Sequence, residues 1–373
     1  MNRTILIMAG GTGGHIFPAL AVGAWLKERG FRVVWLGTRK GMEATIVPRA
    51  GYEIAWVSFG GIRKSGLFKI VTLPFFLLLA FAQAARALFK HRPDVVLGMG
   101  GFASFPGGMM AALFNRPLVI HEQNAIAGLA NRVLAGVADR VLVGFPHAFD
   151  TPAKAEDTLF RVLQRIVKPS AVNWCGNPVR NEISEVPEPQ ARFMGRTGPL
   201  RILVVGGSRG AKQLNETVPE ALRLLGEDSR PLVVHQAGAD HIAALRDNYR
   251  QAEVHGEILA FIENMAQRLA ECDLAICRAG ALTIAELAAA GVASILVPYP
   301  HAVDDHQTHN AKFLVESGAA ILLPQSELSA PRLAALLKDF TRATLLKMAA
   351  VARSLGKPDA TKLVGKVCME LAG

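Results

Sequence analysis

Two Rossmann-like, doubly wound α/β domains facing a cleft are the fold class this sequence predicts, on three observations. Its 373 residues exceed the ~250 to 300 that one hydrophobic core usually serves. The opening "TILIMAGGTGGHIFPALAVGAWLKER" (4–29) reads as apolar strand, glycine-rich loop and helix. From residue 201, "RILVVGGSRGAKQLNETVPEAL" repeats that order.

The elements follow in sequence. "TILIM" (4–8) is a short apolar run that breaks at glycine, and 16–29 carries helix-spaced apolar residues before Gly30. "FRVVWLGT" (31–38), "PDVVLGMGG" (93–101), "PLVIHEQN" (117–124) and "DRVLVGF" (139–145) continue the alternation. Continuous apolar strands between helical stretches predict parallel sheets covered on both faces. After the turn-rich stretch holding Pro178, Pro187, Pro189 and Pro199, the second half alternates again through "PLVVHQAG", "CDLAICRAGALTIAELAAAG" and "ASILVPYP". In such sheets ligands bind beyond the carboxyl ends of the strands, where the glycine loops fall.

Composition narrows the partners. A formal charge of +10 admits nucleic acid, an anionic membrane surface or phosphorylated substrates. No RNA-binding aromatic signature, basic arm or zinc-finger spacing accompanies the charge, which argues against nucleic acid. The four cysteines (175, 272, 277, 368) form no C-x-x-C pair and no metal-ligand spacing, so neither a disulfide scaffold nor a metal is expected, and a reducing compartment fits. The five-residue apolar run near the start is too short for a signal-peptide core, so the chain is expected to stay on the side where it is made.

Residues 62–93 stand apart. Their apolar heart, Ile70 to Ala82, is interrupted by Thr72 and Pro74 and falls short of the ~20 residues of a membrane span. Arg63, Lys64, Lys69, Arg86, Lys90 and Arg92 flank it. Two readings stand: a buried helix of the first domain, or a surface patch, probed at Leu77 and Phe81, resting in the headgroups of an anionic membrane.

Three glycine-rich turns, 10–14, 98–108 and 206–210, suit phosphate groups, since bare backbone N–H groups at a helix start meet an anion without Cβ interference. None satisfies G-x-G-x-x-G, and the P-loop lysine is missing. In "CRAGALTIAELAAAG" (277–291), Thr283 and Glu286 are three apart. They read either as a capping box or as a carboxylate for a ribose diol beside a phosphate-binding helix start. "PYPHAVDDHQTHNA" (298–311) reads either as a solvated loop or as a binder of sugar hydroxyls. No Asp-x-Asp occurs, so glycine loops and helix N-termini are expected to neutralise a diphosphate, with no metal and no cofactor.

Taken in order, "GGTGGHIFPAL", "GMGGFASFPG", "HEQNAIAGLANR", "GNPVR", "GGSRGA", "CRAGALTIAEL" and "VDDHQTHNA" resemble the MurG family of bacterial peptidoglycan glycosyltransferases over nearly the whole chain. The resemblance implies the glycosyltransferase B fold. It also implies transfer of N-acetylglucosamine from UDP-N-acetylglucosamine to undecaprenyl-pyrophosphoryl-muramoyl-pentapeptide, with inversion at the anomeric carbon. The donor contacts it implies are Thr12, Gly13, Gly14, Asn124, Arg180, Ser208, Ile262, Ala281, Leu282, Thr283, Ile284, Ala285, Glu286, His306 and Gln307. Among these, Ile262 would meet the uracil, Glu286 the ribose, and Asn124, His306 and Gln307 the sugar. His15 is the base expected to deprotonate the acceptor hydroxyl, against a plainer role in ordering the loop. Gly13, Gly14, Gly100 and Gly101 would meet the acceptor pyrophosphate.

The domains implied are 1–178 for acceptor and membrane, with a last helix at about 355–373 packing back on it, and 179–354 for the UDP-sugar. The run before "CGNPVR" is longer than the family's usual hinge approach. A peripheral place on the cytoplasmic face of the inner membrane, near other wall-synthesis and division proteins, is implied as well. A diacylglycerol glycosyltransferase, a UDP-sugar epimerase or a non-catalytic binder would share the glycine loops.

Overall fold

The structure, a computed structural model, describes residues 3–59, 67–150, 171–207 and 210–373. It divides into two compact units, Met1–Arg180 with Asp359–Gly373, and Asn181–Pro358.

The first unit holds strands β1 (Thr4–Met8), β2 (Arg32–Gly37), β3 (Glu53–Trp56), β4 (Val95–Gly98), β5 (Leu118–Glu122), β6 (Arg140–Val143) and β7 (Val172–Trp174). Between them run helices α1 (Gly13–Lys27), α2 (Glu43–Arg49), α3 (Leu67–His91), α4 (Ser104–Leu113) and α5 (Leu129–Ala135). The sheet is parallel throughout, in the order β3-β2-β1-β4-β5-β6-β7. Ile5, Leu6, Ile7, Val96 and Leu97 are fully buried because helices cover both faces of the sheet. The order reverses between β1 and β4, so the loops leaving these two strands flank the switch point where such sheets bind ligands.

The second unit repeats the plan with α6 (Asn181–Ser184), α7 (Pro189–Phe193), β8 (Arg201–Val205), α8 (Lys212–Arg223), β9 (Leu232–Gln236), α9 (Ile242–Gln251) and β10 (Glu257–Leu259). It continues with α10 (Met265–Glu271), β11 (Leu274–Cys277), α11 (Ala281–Ala290), β12 (Ser294–Leu296), α12 (His306–Val315), β13 (Ala320–Leu322), α13 (Ala330–Asp339) and α14 (Arg342–Leu355). Its parallel order is β10-β9-β8-β11-β12-β13, with the reversal between β8 and β11. Arg192 pins the unit from within: its buried guanidinium donates to the carbonyls of Pro187, Leu269, Ala290 and Gly291. α15 (Ala360–Leu371) returns to the first unit and packs on α1.

α3 decides between the two readings of the 62–93 segment, in part. It buries Ala80, Ala84, Ala87 and Leu88, the helix-spaced stripe that faces the sheet. Leu77 and Phe81, which flank that stripe, are only half-buried, and the Phe81 ring lies 6.1 Å from that of Phe105. The apolar side chains that face outward are instead Phe75 (68% exposed), Phe76, Leu78 (68%) and Leu79. At 1.5 Å per residue α3 spans about 37 Å, against about 13 Å for the four residues of β4. Phe105 lies in the first turn of α4, just after the second glycine loop. Its contact with Phe81 therefore sets the preceding turns of α3 beyond the sheet edge, on the side of the glycine loops. Among the described residues no helix is long and apolar enough to cross a membrane. Arg63, Lys64 and the run 151–170 lie outside the described residues.

Candidate active site

In the first unit, the loops after β1 and β4 meet backbone to backbone. Gly101 (φ +88°) has no room for a Cβ, which would strike the backbone of Gly10. At Gly100 (φ +96°) a Cβ would fall 2.6 Å from Nδ1 of His15. Left-handed backbone and close approach together demand glycine at both positions. Thr12 is the exposed, extended N-cap of α1 and forms no side-chain cap; its carbonyl accepts from the N–H groups of His15 (3.1 Å) and Ile16 (3.2 Å). Gly13 and Gly14 occupy the first helical positions, whose N–H groups have no intrahelical acceptor. No acidic side chain lies in that turn.

Two carboxylates that the sequence reading did not select hold these loops. Glu43 is fully buried and accepts from the Gly11 N–H (2.9 Å), the Thr38 N–H (3.0 Å) and the Thr38 hydroxyl (2.7 Å). Burial raises its pKa, but these hydrogen bonds outweigh burial and hold it below the ordinary carboxylate value. Glu122, at the end of β5, accepts from the Asn124 N–H (2.9 Å) and amide (3.2 Å), the Gly128 N–H (3.1 Å) and the Asn131 amide (2.9 Å). Asn124 is thereby fixed, half-buried, beside the switch point.

His15 is half-buried, with Nδ1 2.8 Å from Oε1 of Gln123. Asn177 of "GNPVR" donates from Nδ2 to the Gln123 carbonyl at 2.9 Å. Four motifs far apart in sequence thus converge on this sheet edge. Arg180, expected with the donor residues of the second domain, is exposed and ends the first unit. The chain just before it is tied there by the Thr361 hydroxyl on the Val179 carbonyl at 3.1 Å.

In the second unit the loops after β8 and β11 flank the switch point. Gly280 (φ −64°, ψ 145°) is the N-cap of α11, with no side-chain cap. Thr283 is therefore the third helical residue and Glu286 lies nearly a turn further on, so the capping box does not form. The open N–H groups of Ala281, Leu282 and Thr283 face a helix start without a carboxylate in its first turn, the arrangement that attracts an anion. Ile284 departs from its expected part: its side chain is fully buried and its N–H bonds the Gly280 carbonyl at 3.0 Å, so it packs the core. Ala285 and Glu286 are half-buried on the adjoining face.

Gln236, missed by the sequence reading, joins two loops. Its Nε2 donates to the Gly207 carbonyl (3.0 Å) and its Oε1 accepts the Ile262 N–H (3.1 Å), which commits that N–H within the protein. Gln307 accepts the Tyr299 N–H at 2.9 Å. It follows His306 at the start of α12, after Asp304 and Asp305 in left-handed backbone (φ 52° and 53°). Asn310, fully buried, donates to the Ala279 carbonyl at 3.2 Å and ties α12 to the loop before α11. Arg278 is spent on the protein, donating to the Val297 and Pro298 carbonyls and to Gln325. Ser208 lies outside the described residues. Among the described residues no three His, Cys, Asp or Glu side chains converge as a metal-ligand set.

Comparison with known proteins adds identity to this geometry. The chain matches the glycosyltransferase family 28 N-terminal domain over residues 5–143 and its C-terminal domain over 201–364. It is 58% identical, over 99% of its length and 98% of the relative's, to the UDP-N-acetylglucosamine--N-acetylmuramyl-(pentapeptide) pyrophosphoryl-undecaprenol N-acetylglucosamine transferase of Aromatoleum aromaticum. The crystal structure of Acinetobacter baumannii MurG superposes with a TM-score of 0.84 at 38% identity, covering 99% of both chains. The UDP-GlcNAc 2-epimerase of Neisseria meningitidis covers 99% of this chain and 100% of its own at a TM-score of 0.63, but at 13% identity it shares the fold alone. With both domains of the family model matched, and identity above half over nearly the full length, the chain belongs to glycosyltransferase family 28 and, within it, to the MurG family of N-acetylglucosamine transferases.

Proposed function

We propose that this chain transfers N-acetylglucosamine from UDP-N-acetylglucosamine to the 4-hydroxyl of undecaprenyl-pyrophosphoryl-N-acetylmuramoyl-pentapeptide, with His15 as general base. The observation that carries the catalytic part is His15 itself, held between two glycine loops at the switch point of the first unit. The acceptor oxygen attacks the anomeric carbon and the bond from that carbon to the diphosphate oxygen breaks. The hydroxyl proton passes to His15 and UDP leaves with the bonding pair. A single displacement of this kind inverts the configuration.

The donor falls to the second unit in this reading. The diphosphate takes the open N–H groups at Ala281 to Thr283, with Ser208 and Arg180 as further contacts, and the ribose takes Glu286. The uracil lies against Ile262, and Asn124, His306 and Gln307 meet the sugar. The acceptor pyrophosphate takes the first unit's bare backbone at Gly13, Gly14, Gly100 and Gly101, and Thr12, Gly13 and Gly14 are also among the proposed donor contacts. What supports the phosphate assignments is backbone freedom and open N–H groups at helix starts. The test is transfer of labelled sugar to a muramoyl-pyrophosphoryl lipid. Acceptor-dependent release of UDP with a β-linked product is expected; release or epimerisation independent of acceptor sinks the reading.

The lipid acceptor also gives α3 a purpose. Its exposed run from Phe75 to Leu79 stands beyond the sheet edge on the side of the glycine loops. Together with the net charge of +10, this supports docking on the anionic cytoplasmic face of the inner membrane, where other wall-synthesis and division proteins work. Burial of one such side chain is worth about 1.5–3 kcal/mol. The double change Phe75→Ser, Leu78→Ser is therefore expected to weaken sedimentation with anionic vesicles at least about tenfold. Turnover on a short-chain, water-soluble acceptor should stay near wild type. Unchanged sedimentation removes α3 from the membrane.

A further inference from the structure

We infer that Gln123, oriented by His121, fixes His15 in the tautomer with its proton on Nδ1, so that Nε2 carries the free lone pair. This rests on the reading of His15 as base and adds a positioning residue to it.

A hydrogen-bond chain leads to His15 from the buried end of β5. His121 is fully buried at the end of β5, and its Nε2 lies 2.9 Å from the Gly176 carbonyl oxygen. A carbonyl only accepts, so Nε2 of His121 bears hydrogen. Burial lowers the pKa of His121 to about 4, which keeps the ring neutral; a neutral imidazole has one N–H, so its Nδ1 is a bare acceptor. Nε2 of Gln123 lies 3.1 Å from that Nδ1 and 3.0 Å from the His121 carbonyl. Two acceptors at one end of an amide demand its two N–H donors, which settles the orientation of the Gln123 side chain. Its oxygen must then face His15, 2.8 Å from Nδ1. An amide oxygen only accepts, so Nδ1 of His15 donates.

Two further contacts hold this arrangement in place. The Gln123 backbone is fixed by Asn177 Nδ2 on its carbonyl. Gly100 lies against the His15 ring on the Nδ1 side, where a Cβ would fall 2.6 Å away. An unrestrained histidine favours the proton on Nε2, and such a ring offers no base at that atom. When His15 takes the acceptor proton on Nε2, Nδ1–H remains donated to Gln123, so the imidazolium forms without any rearrangement of the ring.

The test reads the tautomer directly. Full-length protein with 15N-labelled histidines is examined by multiple-bond 1H–15N correlation, with His15 assigned through His15→Gln. The wild type should show His15 as Nδ1–H. Gln123→Met should shift it toward Nε2–H and lower kcat at least about tenfold, with KM for UDP-N-acetylglucosamine unchanged. Gln123→Glu, as the neutral acid whose O–H donates to His121 in place of the amide, restores an acceptor oxygen toward His15, and should keep the Nδ1–H form and regain rate over Gln123→Met. A wild-type His15 protonated on Nε2 overturns the inference, as does an unchanged tautomer in Gln123→Met or an Nε2–H form in Gln123→Glu. If the methionine variant does not fold, the wild-type and glutamate spectra decide. Loss of turnover in His15→Ala without the Nδ1–H tautomer leaves the base reading standing and removes Gln123. The Nδ1–H tautomer with undiminished His15→Ala turnover does the reverse.

Discussion

His15→Ala is expected to lower kcat by about 10²- to 10⁴-fold, the range a positioned general base contributes, while binding of UDP-N-acetylglucosamine changes little. The ring belongs to the first unit and bonds Gln123, whereas the proposed nucleotide contacts other than Arg180 lie in the second. Turnover against titration calorimetry of the donor separates the two effects. A variant within tenfold of wild type excludes His15 as the base.

Glu43→Ala is expected to destabilise the first unit by about 3 kcal/mol or more. The two buried donors of Thr38 and the half-buried Gly11 N–H lose their acceptor, and each unsatisfied buried group costs about 1–3 kcal/mol. The carboxylate also fills the space beside Gly10, Gly37 and Gly41, so its loss opens a void under the first glycine loop. The molecule supplies its own probe: all four tryptophans, 25, 35, 56 and 174, lie in the first unit, so their fluorescence during urea denaturation follows that unit alone. The pH dependence has a definite sign. Since the folded pKa of Glu43 is lowered, its stabilisation is complete above the ordinary glutamate value of about 4.3. It is lost as pH falls through the folded value. Glu43→Gln should be less stable than wild type at neutral pH and should lack that component of the acid loss. A Glu43→Gln melting curve that overlays the wild type at pH 7 refutes the anchoring role.

Much of the fold and site is legible in the sequence, and the reasons are physical. Strand, glycine loop and helix leave a local signature, so both doubly wound units and both switch-point loops could be read from residues 4–29 and 201–222. The same locality explains what was missed. Glu43 acts on Gly11 across 32 residues, and Gln123 on His15 across 108; neither carries a spacing that announces it. Gln236 joins Gly207 and Ile262 in the same way. Thr283 and Glu286 have the spacing of a capping box, yet the helix begins at Gly280, and a pattern alone does not give its own starting point. In α3 the apolar run was evident, but it surrounds the helix, so only packing could distinguish the exposed Phe75 and Leu78 from the half-buried Leu77 and Phe81.

The return of α15 to the first unit has a consequence for synthesis on the ribosome. Val364 and Cys368 lie fully buried beside Trp25, and Gly365 admits that indole so closely that a Cβ would strike it. The second unit is one unbroken stretch, Asn181–Pro358, inserted within the first. Translation therefore delivers every residue of the later unit before the last helix of the earlier one. The usual order of domain maturation, N-terminal first, is reversed here: the unit that begins the nascent chain must wait, its α1 surface uncovered, until the final residues emerge.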